Sequence, residues 1–127
     1  MNVNECSGRT LAYLGDAVWS YLVRRYLIEQ GEGKGSQLQK KTIHFVSAGA
    51  QAAFYDRLHE EQFFTEEEEE VFRRGRNDHS GVVPKSASVA VYRKSTGFEA
   101  IIGMLDLQGK EERIRELFRK VTEEDTL

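Results

Sequence analysis

The sequence predicts an all-α protein. Its 127 residues contain a single proline, Pro84, and no stretch keeps the strict alternation of apolar and polar residues that marks a β-strand. Apolar residues instead recur at the three- and four-residue spacing of helices, and Ser, Thr and Gly stand where such helices would begin and end. We therefore expect about six helices in one domain that covers residues 1–127.

Capping residues define the first three helices. Residues 9–30 are predicted to form the first helix, because Ser7 can cap its start and Gly31 can end it. The second helix starts near Ser36. Ser47 is the predicted cap of a third helix, which carries further apolar residues.

The second half of the chain contains three more predicted helices and one long loop. Thr65 and Glu68 have the spacing of a capping box, so a fourth helix begins there. Residues 75–86 are rich in turn-forming residues and are predicted to be the longest loop, a place where functional groups concentrate. Helices over residues 87–107 and 111–121 follow.

The net charge of −3 conceals two oppositely charged segments. Residues 59–71 contain seven glutamates and no lysine or arginine, and we expect the glutamate run to form a solvated helix face. Residues 73–94 contain six lysines and arginines against one aspartate, a local charge of +5. Part of this cluster suits the negative end of a helix dipole, but a phosphate-binding surface accounts for more of it.

Two acidic residues stand alone in apolar segments. Asp16 is the only charged residue within residues 10–23, and Glu99 is the only one within residues 95–105. Both segments are apolar around the whole helix, so we expect two buried helices. An ionised carboxylate in such surroundings is costly unless a cation or hydrogen bonds compensate it. Two of them predict a buried site that collects a divalent cation.

Small residues beside the two acids indicate how they can meet. Gly15 and Gly103 remove side-chain bulk, which allows the two helices to approach closely. Mg²⁺ is often bound by one or two protein carboxylates together with water and substrate phosphate oxygens, and it activates water for phosphodiester hydrolysis. The alternative is structural: each acid pairs with an arginine or caps a neighbouring helix.

Two motifs resemble those of the ribonuclease III family. Residues 11–18 read Leu-Ala-Tyr-Leu-Gly-Asp-Ala-Val, against Leu-Glu-Phe-Leu-Gly-Asp-Ala-Val in that family. Residues 96–103 resemble its second motif, Asp-x-x-Glu-Ala-x-x-Gly. The resemblance implies that Asp16 and Glu99 are catalytic, metal-binding acids. Ala12 and Thr96 stand where the family has two further acids, so the chain departs from the family pattern there.

The chain resembles the compact mini-III branch of this family in its missing acids, its short length and its loop at residues 75–85. That branch has no double-stranded-RNA-binding domain. The resemblance implies a homodimer that binds an RNA duplex. It also implies Mg²⁺, with Mn²⁺ as a substitute, and products with 5′-phosphate and 3′-hydroxyl ends. The implied task is maturation of the precursor of large-subunit (23S) ribosomal RNA in the cytoplasm, with a possible ribosomal protein helper and no membrane.

These observations lead to one hypothesis and two rivals. The hypothesis is an Mg²⁺-dependent endoribonuclease for double-stranded RNA. Its expected RNA-binding residues lie at the end of the fourth helix and in the following loop: Arg73, Arg74, Arg76, Asn77 and Lys85. One rival is a catalytically degenerate module that binds structured RNA or a ribosome assembly partner, as the losses at Ala12 and Thr96 suggest. The other is a purely structural helical dimer.

Overall fold

The computed structural model describes residues 2–31, 33–79, 82–85 and 88–125, and these contain helices and no strand. A short 3₁₀-helix precedes six α-helices, which confirms the all-α prediction. Their bounds are α1 Gly8–Glu29, α2 Gly35–Val46, α3 Ala48–Glu60, α4 Glu66–Arg76, α5 Val89–Leu107 and α6 Glu111–Asp125. Within the described ranges, no helix combines the length and the apolar character needed to cross a bilayer.

The predicted capping residues bound the helices as expected. The side chain of Ser7 accepts a hydrogen bond from the amide of Thr10, and Ser47 has the same role at the start of α3. Thr65 forms a complete capping box with Glu68. Gly31 follows α1 with a φ of 89°, in the left-handed region that glycine adopts without strain.

Helix α1 differs from its prediction by one residue at each end, and three later boundaries differ as well. Helix α4 continues to Arg76, so the predicted loop begins later than residue 75. Helix α5 is described from Val89, with Ser88 as its cap, whereas residue 87 lies outside the described part of the chain. Helix α6 extends to Asp125 because the helical pattern continues beyond residue 121.

Helix α5 lies at the centre of the fold. Helices α1, α3, α4 and α6 all pack against it. Phe98, Ile101 and Ile102 on α5 are fully buried, as is Trp19 on α1. The indole Nε1 of Trp19 donates to the carbonyl of Phe45 at 2.9 Å, which satisfies the one polar group of this large core side chain.

Helices α1 and α5 cross in direct backbone contact, as the two glycines predict. A Cβ atom placed on Gly15 would lie 1.8 Å from the carbonyl oxygen of Glu99. A Cβ placed on Gly103 would lie 1.9 Å from the carbonyl oxygen of Leu11. Any side chain at either position would therefore push the helices apart.

The prediction that both segments are buried on all sides is correct for residues 95–105 of α5, where only Glu99 is not fully buried, and wrong for α1. Tyr13 is 84% exposed and Tyr21 is 60% exposed, and Asp16 and Ala17 on the same helix are also exposed. One face of α1 packs on α5, whereas the other presents aromatic and small apolar side chains at the surface of the single chain. Apolar composition alone cannot distinguish such a face from a core-facing one.

The prediction that the glutamate run is a solvated face is also wrong in part. Glu68 is 3% exposed, and its carboxylate accepts from Arg113 through Nε at 2.8 Å and Nη2 at 2.7 Å. Glu69 accepts from the hydroxyl of Tyr55 and pairs with His59. Helical periodicity turns these two members of the run inward, whereas the others remain exposed.

Candidate active site

The crossing of α1 and α5 brings the two isolated acids together. Asp16 follows Gly15 in α1, and Glu99 is the residue whose carbonyl touches Gly15. The carboxyl group of Asp16 lies close enough to that of Glu99 to raise its pKa, although 83 positions separate them in the chain. The predicted convergence of the two acids is therefore observed.

The two carboxyl groups occupy different environments. Glu99 is half-buried and Asp16 is exposed. Burial, the hydrogen bond with Asp16 and the charge of Asp16 raise the pKa of Glu99 to about 9. The amide Nε2 of Gln51 donates to Oε2 of Glu99 at 3.3 Å and acts in the opposite direction. Without a cation, Glu99 therefore retains its proton at neutral pH.

This arrangement suits a divalent cation. Two carboxylates that share a proton gain from its replacement by a metal ion, which relieves their repulsion. Among the residues that the structure describes, no ion pair joins Asp16 or Glu99 to a lysine or arginine, so the structural alternative has no support there. Asp16 and Glu99 could hold Mg²⁺ with water and RNA phosphate oxygens, and this role stays a prediction.

The positions of the two missing family acids add no carboxylate oxygen. Ala12 is 6% exposed and packs in the core beside the site. Thr96 is 6% exposed, and its hydroxyl donates to the carbonyl of Tyr92 at 3.1 Å. No group of three or more His, Cys, Asp or Glu side chains suited to a metal exists in the described ranges. The site therefore depends on its central pair.

The basic end of α4 packs against helix α5, which carries Glu99. A Cβ on Gly75 would lie 2.9 Å from Cα of Gly97 and 3.0 Å from the carbonyl oxygen of Thr96, so α4 touches α5 in the turn before Glu99. The arginines that flank Gly75 in sequence are thus anchored to the same helix as Glu99.

The five predicted RNA-binding residues differ in their surroundings. Arg73, Asn77 and Lys85 are exposed. The Arg76 guanidinium lies over the Phe72 ring, 5.6 Å from its centroid, and its Nε donates to Oδ1 of Asn77 at 3.1 Å. These contacts orient Arg76 and leave other donors of its guanidinium to bind phosphate. For all of these residues, RNA binding stays a prediction.

Arg74 has a structural role in addition to any role in binding. Its Nη2 donates to the backbone carbonyls of Cys6 and Asn4, which ties the N-terminal segment to α4. Lys94, another member of the basic segment, pairs with Asp56 at 2.7 Å. The local charge of +5 therefore overstates the charge that is available to a ligand.

Sequence reasoning missed Gln51 as part of the site. It lies among alanines near the start of α3, where a single glutamine resembles an ordinary surface residue of a short helix. The structure buries it to 1% exposure and directs its amide to Glu99. Only the packing of α3 against α5 reveals this contact.

Comparison with known proteins identifies the family. The family model of the ribonuclease III domain matches residues 9–110. The chain belongs to the ribonuclease III family. This membership identifies the chain as an endoribonuclease of that family.

Individual ribonuclease III relatives match most of the chain. The mini-ribonuclease 3 of Streptococcus pneumoniae is 44% identical over 117 residues, which cover 92% of this chain and 91% of that protein. The mini-ribonuclease 3 of Brevibacillus brevis is 47% identical over 110 residues, which cover 87% and 81%. The crystal structure of protein FN1578 from Fusobacterium nucleatum superposes with a TM-score of 0.84 at 32% identity and covers 92% and 93%. The ribonuclease III fold expected from the sequence is thus confirmed.

Proposed function

We propose that this ribonuclease III family member is an Mg²⁺-dependent endoribonuclease that cleaves double-stranded RNA. The observation that supports the proposal most directly is the convergence of Asp16 and Glu99 where α1 crosses α5. Two adjacent carboxylates gain from a divalent cation, and the basic segment on α4 and the following loop attracts a polyanion.

The chain's own residues account for binding and orientation in this reaction. Bound Mg²⁺ polarises the phosphodiester and makes a water molecule more acidic. Asp16, on the exposed face of α1, can meet the RNA backbone, whereas Glu99 lies behind it with less access to water. Arg73, Arg76 and Lys85 bind neighbouring phosphates and set the position of the strand. Duplex RNA is recognised mainly through its backbone, which suits such contacts.

The exposed apolar face of α1 is the proposed dimer interface. Tyr13, Ala17 and Tyr21 are exposed on this face. An apolar groove that includes Val18, Leu22 and Phe118 continues it towards α6. Large exposed apolar patches are typical of interaction surfaces. A second copy of the chain would cover this face on both subunits and place two sites on one RNA duplex.

The dimer is tested by truncating one exposed aromatic side chain. Tyr13→Ser should raise the dimer dissociation constant at least about tenfold, because exposed aromatic anchors dominate such interfaces. Sedimentation velocity over a range of protein concentrations measures this change. Ile43→Ser is the matched control, since Ile43 is 57% exposed on α2, outside this face. Monomeric wild-type protein at all concentrations would refute the interface.

The biological substrate is proposed from the resemblance and the relatives. Mini-ribonuclease 3 relatives match most of the chain, and for such a compact nuclease the expected substrate is the precursor of 23S ribosomal RNA in the cytoplasm. A ribosomal protein helper would supply affinity that a small basic surface lacks.

The decisive experiment is cleavage of a generic RNA duplex. Asp16→Asn should reduce the cleavage rate at saturating Mg²⁺ by at least about a hundredfold, since it removes one of two metal-binding carboxylates. Glu60→Gln, at an exposed acid on α3, is the control and should cleave as the wild type does. Products should carry 5′-phosphate ends. Full activity of a folded Asp16→Asn variant would refute the assigned role.

One observation favours the non-catalytic rival. Ala12 and Thr96 leave the site with two carboxylates, fewer than the family motif provides. A degenerate module would bind duplex RNA equally well with Mg²⁺ or EDTA and leave it intact. Cleavage assays in parallel with binding assays under both conditions therefore separate the two functions.

A further inference from the structure

Few polar side chains are buried in this fold. In the part of the chain that the structure describes, five of them are less than a tenth exposed: Gln51, Glu68, Ser95, Thr96 and Thr122. Burying a polar group without a hydrogen bond is costly, so the partner of each one indicates why it is there. The five partners divide into two groups.

Four of these side chains have structural partners. The hydroxyls of Ser95, Thr96 and Thr122 donate to backbone carbonyls of their own helices. Glu68 completes the cap of α4 and pairs with Arg113. The fifth side chain differs, because its hydrogen bond leads from α3 to the carboxylate pair of the candidate active site.

Gln51 is 1% exposed, and its Nε2 lies 3.3 Å from Oε2 of Glu99. A methionine or leucine could fill a similar volume in the core without the cost of burying an amide. What the amide adds is one donor directed at one oxygen of Glu99. Such a bond restricts rotation of the carboxylate about its terminal torsion, which is otherwise soft.

The neutrality of this donor is important. An arginine or lysine at the same place would cancel the negative charge of Glu99 and compete with a metal ion. An amide fixes the carboxylate and preserves its charge. A site with only two carboxylates depends strongly on the orientation of each one, since Ala12 and Thr96 provide no replacement ligand.

Resting on the function proposed above, we propose that Gln51 is a positioning residue that holds the Glu99 carboxylate in the orientation in which Glu99 and Asp16 bind a divalent cation. Removing a hydrogen-bond partner of a metal-binding side chain commonly lowers metal affinity or activity by about ten- to a hundredfold. Gln51 itself contacts neither metal nor RNA in this role.

The test replaces the amide by an apolar side chain of similar length. Gln51→Met should weaken Mn²⁺ binding, measured by EPR titration of the full chain without RNA, by about tenfold or more. The Mg²⁺ concentration for half-maximal cleavage should rise by a similar factor, whereas kcat at saturating Mg²⁺ should stay within about threefold. Thermal unfolding in EDTA verifies that the variant is folded, and Gln51→Leu replaces it if it is not.

The matched control is Ser95→Ala, which removes a different buried polar group. Ser95 lies on α5, one turn before Glu99. It should leave Mn²⁺ affinity unchanged. Suppose that the wild type binds Mn²⁺ and cleaves RNA, and that folded Gln51→Met and Gln51→Leu bind Mn²⁺ equally tightly. This result overturns the role of Gln51 and leaves the proposed function intact. A wild type that neither binds Mn²⁺ nor cleaves RNA overturns the proposed function, and this inference with it.

Discussion

Replacing Glu99 by glutamine should stabilise the metal-free protein at alkaline pH. Burial and the adjacent Asp16 raise the pKa of Glu99 to about 9 in the folded chain, whereas an unfolded glutamate titrates near its ordinary value of about 4.3. Between these two values the unfolded state releases a proton that the folded state retains. The free energy of unfolding of the wild type therefore falls as pH rises through this window.

The size of the effect follows from the shift. The difference between the folded and unfolded pKa values of Glu99 corresponds to about 6 kcal/mol at most in the free energy of unfolding. Access of water to the exposed Asp16 side of the pair reduces the expected loss of stability to about 2 to 4 kcal/mol. Glutamine cannot ionise and can still form a hydrogen bond with Asp16. The stability advantage of Glu99→Gln should therefore grow from pH 5 to pH 9.

Urea unfolding in EDTA at several pH values and one protein concentration measures this advantage. Glu60→Gln is the matched control, because Glu60 is exposed on α3 and should show no such trend. Addition of Mg²⁺ at pH 9 should restore stability to the wild type and not to Glu99→Gln, since the proposed metal site is the ionised pair. A constant difference between wild type and Glu99→Gln from pH 5 to pH 9 would refute the reasoning.

Three further predictions concern the packing of the helices. Gly15→Ala should cost at least about 3 kcal/mol in urea unfolding, because its Cβ would lie 1.8 Å from the carbonyl oxygen of Glu99. Gly49→Ala, where no atom lies within 4 Å of the added Cβ, should instead stabilise helix α3 by about 0.5 to 1 kcal/mol. Glu68→Gln should cost about 3 kcal/mol at pH 7 by the same measurement, because it breaks a largely buried pair with Arg113.

Local signals in the sequence predicted the helices well. The side chains of Ser7, Ser47 and Thr65 cap helices by accepting hydrogen bonds from amides three residues ahead, so the information is contained in a short segment. The meeting of Asp16 and Glu99 was also predictable in outline. An isolated acid beside a glycine in an apolar helix indicates both close helix packing and a compensating group.

Other tertiary relations were not predictable from these signals. The exposed face of α1 contains Tyr13 and Tyr21, whose apolar character is equally typical of a core and of a subunit interface. Glu68 and Gln51 are polar residues in surface-like contexts, yet both are buried, because α6 and α5 respectively cover them. Their partners lie 45 and 48 residues away in the chain, beyond the reach of helical periodicity.

The proposed metal site and the proposed dimer interface share helix α1, and this has a physical consequence. Asp16 and Ala17 are neighbours on the exposed face of α1, so a second subunit on that face would reduce the access of water to the Asp16 carboxylate. Lower water access strengthens the attraction between a carboxylate and a divalent cation. It also raises the free-energy cost of keeping the Asp16 and Glu99 carboxylates charged without a metal. Dimer formation and metal binding should therefore favour each other, and any coupling must act equally in both directions. The paired acids, the glycine crossing and the exposed aromatic face are thus parts of one arrangement along α1.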